Sequence, residues 1–324
     1  MREAGANFYE TSPFCEATPL QVCRAGDLKQ LQNLLVLHPK IVREKFQSAI
    51  SGEFTKLLFI AALNGHTECV KALLDAEAEP NDEQTLGLNP VFISAQEGHV
   101  ACLQALIDAK ANLDTTTATG ATPAYIAAEN GRTECLKALI KGGADFNRAK
   151  ETGVTPVFIA AQNGQIECLK VLIEAKAQLN TSKTNTGTTP VFIAVLEGRT
   201  ECLQLLITAG ADFTIASTTD GAPVFVAAQF GQTACLKVLI EAGVDINAAR
   251  TSDGATPTLI AAQQGHRECL QALIDAGADI DAARTTDGAT PMSIATLKGH
   301  QECLHALIRA KWASGVVDNN LLEE

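Results

Sequence analysis

Aromatic residues are scarce in this 324-residue chain, at 5%, with a single tryptophan and two tyrosines. Without large rings to fill a bulky core, the 46% apolar content rests mainly on Ala, Leu and Ile, a composition suited to thin, closely stacked helices. Positive charge is also the minority: 25 Lys and Arg stand against 37 Asp and Glu, leaving a formal net charge of −12. An acidic chain repels phosphate backbones, which argues against nucleic acid as a partner. No run of like charges is long enough to read as a basic arm or an acidic tail. No segment approaches the ~20 apolar residues that cross a bilayer, and Met1–Asn7 has no apolar stretch of signal-peptide length. A soluble, cytoplasmic protein without membrane insertion is the expectation.

Signatures of chemistry are missing too. There is no G-x-x-x-x-G-K-[ST] phosphate loop, no G-x-G-x-x-G after a strand pattern and no G-x-S-x-G elbow. No catalytic set, no cofactor and no small-molecule substrate are expected.

What the chain does have is a period. Its length exceeds that of most single cores, but a repeat array escapes this limit because each unit packs only on its neighbours. Cys69, Cys102, Cys135, Cys168, Cys202, Cys235, Cys269 and Cys303 recur every 33 or 34 residues. One cysteine per period, in one slot, is a repeat position and not a disulfide framework. Pro90, Pro123, Pro156, Pro190, Pro223, Pro257 and Pro291 keep the same step. In Thr155-Pro156-Val157-Phe158-Ile159-Ala160-Ala161-Gln162-Asn163-Gly164, Thr155 caps a helix, Pro156 fits its first turn and Gly164 ends it. In the following phrase Cys168, Leu169, Leu172 and Ile173 share one helical face, with Glu167 and Lys170 on the other. Gly143, Gly210, Gly243 and Gly277 stop the second helix, and polar turns rich in Thr, Asp and Gly follow.

A Thr-Pro-x-x-x-Ala phrase at this period, with Ala144-Asp145-Phe146-Asn147 closing a unit, resembles the ankyrin-repeat family over about residues 17–315. The resemblance implies an all-α ankyrin solenoid of stacked helix-turn-helix units with protruding hairpin loops. Residues 1–53 read as a degenerate capping repeat (Thr18–Gly26, then Leu28, Leu31, Leu34 and Leu35) plus an insertion at Pro39–Ser51 that adds a helical turn. Residues 54–311 read as the array, its eighth unit the C-terminal cap, and 312–324 as a tail whose Trp312 covers the last apolar face.

Three departures from the family pattern stand out. Where the family carries His, this chain has Phe59, Phe92, Tyr125, Phe158, Phe192, Phe225, Leu259 and Ser293. The column reads as packing between repeats or as an aromatic groove. The glycine after the second helix is replaced by Glu77, Lys110, Lys176 and Lys311, so those turns either differ in shape or carry a left-handed penalty. Some turns gain a residue, as at Asn180–Gly187, and are rich in hydroxyls, either solvated turns or a hydrogen-bonding rim.

A His-x-x-Cys pattern recurs at His66/Cys69, His99/Cys102, His266/Cys269 and His300/Cys303. Each repeat offers two ligands where a structural zinc needs four, and Arg132, Gln165, Arg199 and Gln232 take the His slot elsewhere. No metal site is expected, and the cysteines read as buried filler, with Cys15 outside the column. By the resemblance, a partner protein lies on the concave face. Its contacts fall on the slots before the first helix's glycine, Glu97, Asn130, Asn163, Glu197, Phe230, Gln264 and Lys298. They also fall on the finger slots Thr119, Thr152, Thr186, Asp220, Asp253 and Asp287. The expected function is a protein–protein interaction scaffold or adaptor. The alternative is a regulatory subunit that occludes a partner enzyme, for which Glu323 and Glu324 weakly resemble the secretion signals of effectors delivered into a host cytosol.

Overall fold

The computed structural model describes residues 18–47, 54–83 and 87–313. The chain divides into two compact units, Met1–Glu151 and Thr152–Glu324. The first holds four helix pairs: α1 (Pro19–Ala25) with α2 (Leu28–Leu37), α3 (Leu57–Leu63) with α4 (Thr67–Asp75), α5 (Pro90–Glu97) with α6 (Val100–Asp108), and α7 (Pro123–Glu129) with α8 (Thr133–Gly142). The second holds five: α9 (Pro156–Asn163) with α10 (Ile166–Glu174), α11 (Pro190–Leu196) with α12 (Thr200–Thr208), α13 (Pro223–Gln229) with α14 (Thr233–Glu241), α15 (Pro257–Gln264) with α16 (Arg267–Asp275), and α17 (Pro291–Lys298) with α18 (Gln301–Ala313). Within each unit, first helices pack on first helices and second on second. The expected all-α helix-turn-helix array is what forms.

The start of most first helices follows from a Thr-Pro pair, although α3 begins after Lys56 with no side-chain cap. The Oγ1 atoms of Thr122, Thr155, Thr189 and Thr256 accept from the amides of Tyr125, Phe158, Phe192 and Leu259 at 3.1–3.2 Å. Asn89 does the same for Phe92 through Oδ1 at 2.7 Å. Each cap satisfies one of the amides that a helix start leaves open, worth about 1 kcal/mol. Ala222, before α13, offers no such cap.

The ring column is core. Phe92, Tyr125, Phe158, Phe192, Phe225 and Leu259 are all buried, while Phe59 is half-buried and Ser293 exposed at the ends of the series. Cations from the following turn cover two of the rings, Lys150 over Tyr125 and Arg250 over Phe225, each 4.8 Å from the centroid. The packing reading therefore holds and no aromatic groove forms. On the second helices Cys168, Leu169 and Leu172 are buried, and Glu167 pairs with Lys170 at 2.7 Å on the solvated side.

Three readings are corrected or sharpened. The insertion does carry a helical turn, a 3-10 segment at Pro39–Arg43, but also a short antiparallel pair, β1 (Phe46–Gln47) with β2 (Phe54–Thr55), that the sequence did not suggest. Two-residue strands are too short to show a period of two. Trp312 does not cover an apolar face: it is 66% exposed. Of the four glycine replacements, Glu77, Lys110 and Lys176 are left-handed at φ 63°, 62° and 63°, whereas Lys311 lies inside α18, which runs on to Ala313.

Lys176→Gly should therefore stabilise the second unit by roughly 0.3–1 kcal/mol. The left-handed penalty of ~1 kcal/mol disappears, and the added freedom of the unfolded chain returns part of it. Urea unfolding measures the difference, and a loss of stability would show that the lysine side chain holds the turn.

Candidate functional site

The turns between helix pairs are stapled to one another. In the second unit Thr184 donates both its amide (3.0 Å) and its hydroxyl (3.1 Å) to the carbonyl of Thr152. Thr218 does the same to Thr186, at 3.0 and 3.2 Å, and Thr285 to Asp253, at 3.0 and 2.7 Å. At the turn bases, carboxylate or amide oxygens accept from the next repeat's backbone: Asp114 from Asp145 at 2.8 Å, Asn180 from Asp212 at 2.9 Å and Asn247 from Asp279 at 2.9 Å. The hydroxyl-rich composition thus serves repeat-to-repeat hydrogen bonding.

Most finger-slot side chains are committed inside their own turns. Thr119 bonds Thr117 at 3.0 Å, and Thr186 bonds Thr188 at 2.5 Å. Asp220 accepts from Ser217 at 3.2 Å and Thr219 at 2.6 Å. Asp253 takes a bidentate fork from Arg250 at 3.0 and 2.6 Å, and Asp287 one from Arg284 at 2.9 and 2.5 Å. These guanidinium bonds hold Asp253 below the usual carboxylate range and pull Asp287 down to about 2. Thr152 is exposed and contributes its carbonyl.

The helix-end slots behave differently. Glu97 accepts from Gln96 at 3.0 Å, and Asn130 donates to the carbonyl of Ile126 at 3.2 Å. Asn163 ends α9 and is exposed. In the second unit Glu197, Phe230, Gln264 and Lys298 end α11, α13, α15 and α17, all four exposed. None of the four makes a side-chain hydrogen bond or ion pair among the described residues. Phe230 is 50% exposed, and Leu297, just before Lys298, is 79% exposed. Leu297 is visible in the sequence as a leucine in a slot that holds Gln263 and Gln229 in the two preceding repeats.

The histidine and cysteine columns have structural roles. His66, His99, His266 and His300 each place Nε2 2.9–3.1 Å from a carbonyl at the end of the preceding repeat's first helix. Arg132, Arg199 and Gln232 make the same reach at 3.0–3.3 Å. These carbonyls are among those a helix leaves without an internal partner, and a donor there also suits the negative end of the dipole. The nine described cysteines are buried thiols, and Cys15 lies outside the described residues. Burial pushes Cys23 up to about 12 and Cys202 up to about 11, the direction opposite to a reactive thiolate. Native protein at pH 8 should consequently label slowly with iodoacetamide at all nine positions and rapidly only after unfolding. Fast native labelling in the column would contradict the packing.

Stacked helix pairs joined by stapled hairpin turns define a repeat protein. Family comparison agrees: a model described as "Ankyrin repeats (3 copies)" matches residues 58–150, 143–217 and 224–319. The chain belongs to the ankyrin-repeat family. No curated protein sequence matches it. Among solved structures, the human ASB11 ankyrin repeat domain is similar, with a TM-score of 0.60 and 26% identity over 69% of this chain and 98% of that one. Ankyrin repeats generally mediate protein–protein interaction. Among the described residues, no helix is long and apolar enough to cross a membrane.

Proposed function

We propose that this protein is an interaction scaffold or adaptor, and that its partner protein is gripped chiefly by the helix-end row Glu197, Phe230, Gln264 and Lys298 of the second unit. Within that unit Asn163 and the finger slots Thr152, Thr186, Asp220, Asp253 and Asp287 flank the row, and Glu97, Asn130 and Thr119 are the corresponding slots of the first unit. The observation that carries the reading is the contrast in commitment. Most finger side chains are bonded within their own turns, while these four are exposed and bond to nothing described. Aromatic side chains are favoured anchors of interfaces, and Phe230 stands half-exposed in an otherwise polar row.

The test places a photo-crosslinking phenylalanine analogue at position 230 and, as control, at Glu167 on the outer face. A partner should be captured from position 230 alone. Phe230→Ala should then weaken the captured partner's binding about fivefold or more, on the order of 1 kcal/mol, without moving the melting temperature. Equal capture from both positions would defeat the localised site.

A further inference from the structure

Resting on that reading, we infer that the partner presents one continuous segment with a fixed order of side chains. A cation faces Glu197, an apolar side chain faces Phe230, a polar one faces Gln264, and a carboxylate with an apolar neighbour faces Lys298 and Leu297. The four slots come from α11, α13, α15 and α17, each packed on the next, so the order along the row is set by the chain order of the repeats.

Charge complementarity fixes the ends. Glu197 and Lys298 are the two charged members of the row, of opposite sign, and neither has an ion-pair partner among the described residues. Two of the three finger acids are closed by their own arginines, Asp253 by Arg250 and Asp287 by Arg284, and the third, Asp220, accepts from the hydroxyls of Ser217 and Thr219. Asp253 and Asp287, each neutralised by its guanidinium, do not compete for a partner's cation as Glu197 does. The apolar position is set by α13, which breaks the repeat rule at both ends. Ala222 stands where a capping threonine stands before α9, α11, α15 and α17, and Phe230 stands where those repeats carry Asn163, Glu197, Gln264 and Lys298. Beside it the Oε1 of Gln229 is shielded from solvent with no hydrogen-bond donor. Local rules broken without an internal gain cluster at functional sites.

The step between packed helices is about 8–10 Å. Three residues of a polyproline-like chain advance about 9 Å and return the side chain to the same face. A segment of about ten residues spans the row, so a short peptide is a sufficient probe.

Random sixteen-residue peptides displayed on phage are selected on the full chain, and the enriched peptide is synthesised for anisotropy titration. The expected consensus places Lys or Arg one step from an apolar residue and Asp or Glu two steps beyond it. Its affinity should fall at least tenfold on E197K/K298E and at least fivefold on F230A. Selection on E197K/K298E should return peptides with the acid next to the apolar residue instead. Because these side chains make no described bond, each variant should keep the parent's circular-dichroism melting curve. Peptides that need Phe230 yet bind the parent and E197K/K298E within twofold would overturn the charge order and leave the row standing. Peptides indifferent to F230A, or no enrichment at all, would overturn the row and the proposed function with it.

Discussion

Truncating Phe225 to alanine should lower the unfolding free energy of the second unit by about 3–5 kcal/mol, the usual cost of emptying a buried ring site. Phe225 is fully buried at 0% exposure, and its ring also receives the guanidinium of Arg250, so the truncation removes packing on both sides. Phe225→Leu should cost less than about 1.5 kcal/mol, because Leu259 already fills the same slot one repeat later and is just as buried. Urea unfolding followed by circular dichroism measures both. Repeat arrays distribute a local loss through neighbouring interfaces, so the transition should broaden as well as shift. A loss under about 1 kcal/mol in Phe225→Ala would mean the ring column is not the core.

Gly265→Ala should be the second large effect, a loss of about 2 kcal/mol or more, for two separable reasons. The backbone at Gly265 is left-handed at φ 77°, which costs a residue with a Cβ roughly 1–2 kcal/mol. A Cβ built there would also meet the His300 ring at 2.7 Å. That ring is held in place by its own bond to the Gln263 carbonyl at 3.1 Å. In a His300→Ala background the second reason vanishes, so the cost of Gly265→Ala should shrink toward the backbone penalty alone. A double-mutant cycle reads the coupling. Purely additive losses would show that the ring moves aside without penalty.

Much of this architecture is legible in the sequence because each local device repeats. Thr155-Pro156 and Gly164 mark a helix by capping chemistry alone, and the same phrase returns often enough to place the units. The cysteine column reads as filler for the same reason, since one thiol per period, a helix spacing apart, leaves no second cysteine within disulfide reach. Harder to see was what the fingers do with their polar groups. That Asp253 closes on Arg250, three residues away, depends on a hairpin geometry that composition does not reveal. The His-x-x-Cys spacing suggested a shared helix face, whereas the histidine's partner is a carbonyl 37 residues earlier, as from His266 to Gln229. The places of Trp312 and Lys311 are not legible in the sequence, because the last helix continues where earlier ones stop.

The backward reach of the His, Arg and Gln side chains gives the array a direction in time. A first helix such as α15 is completed by His300, which belongs to the repeat after it. Synthesis runs from the N-terminus, so a nascent repeat emerges with its first helix unfinished and is closed only when the following repeat appears. Each repeat capped in this way thus matures one period late. Shortening the chain from its C-terminal end uncaps the repeat newly left last, whereas shortening it from the other end removes donors together with the helices they served.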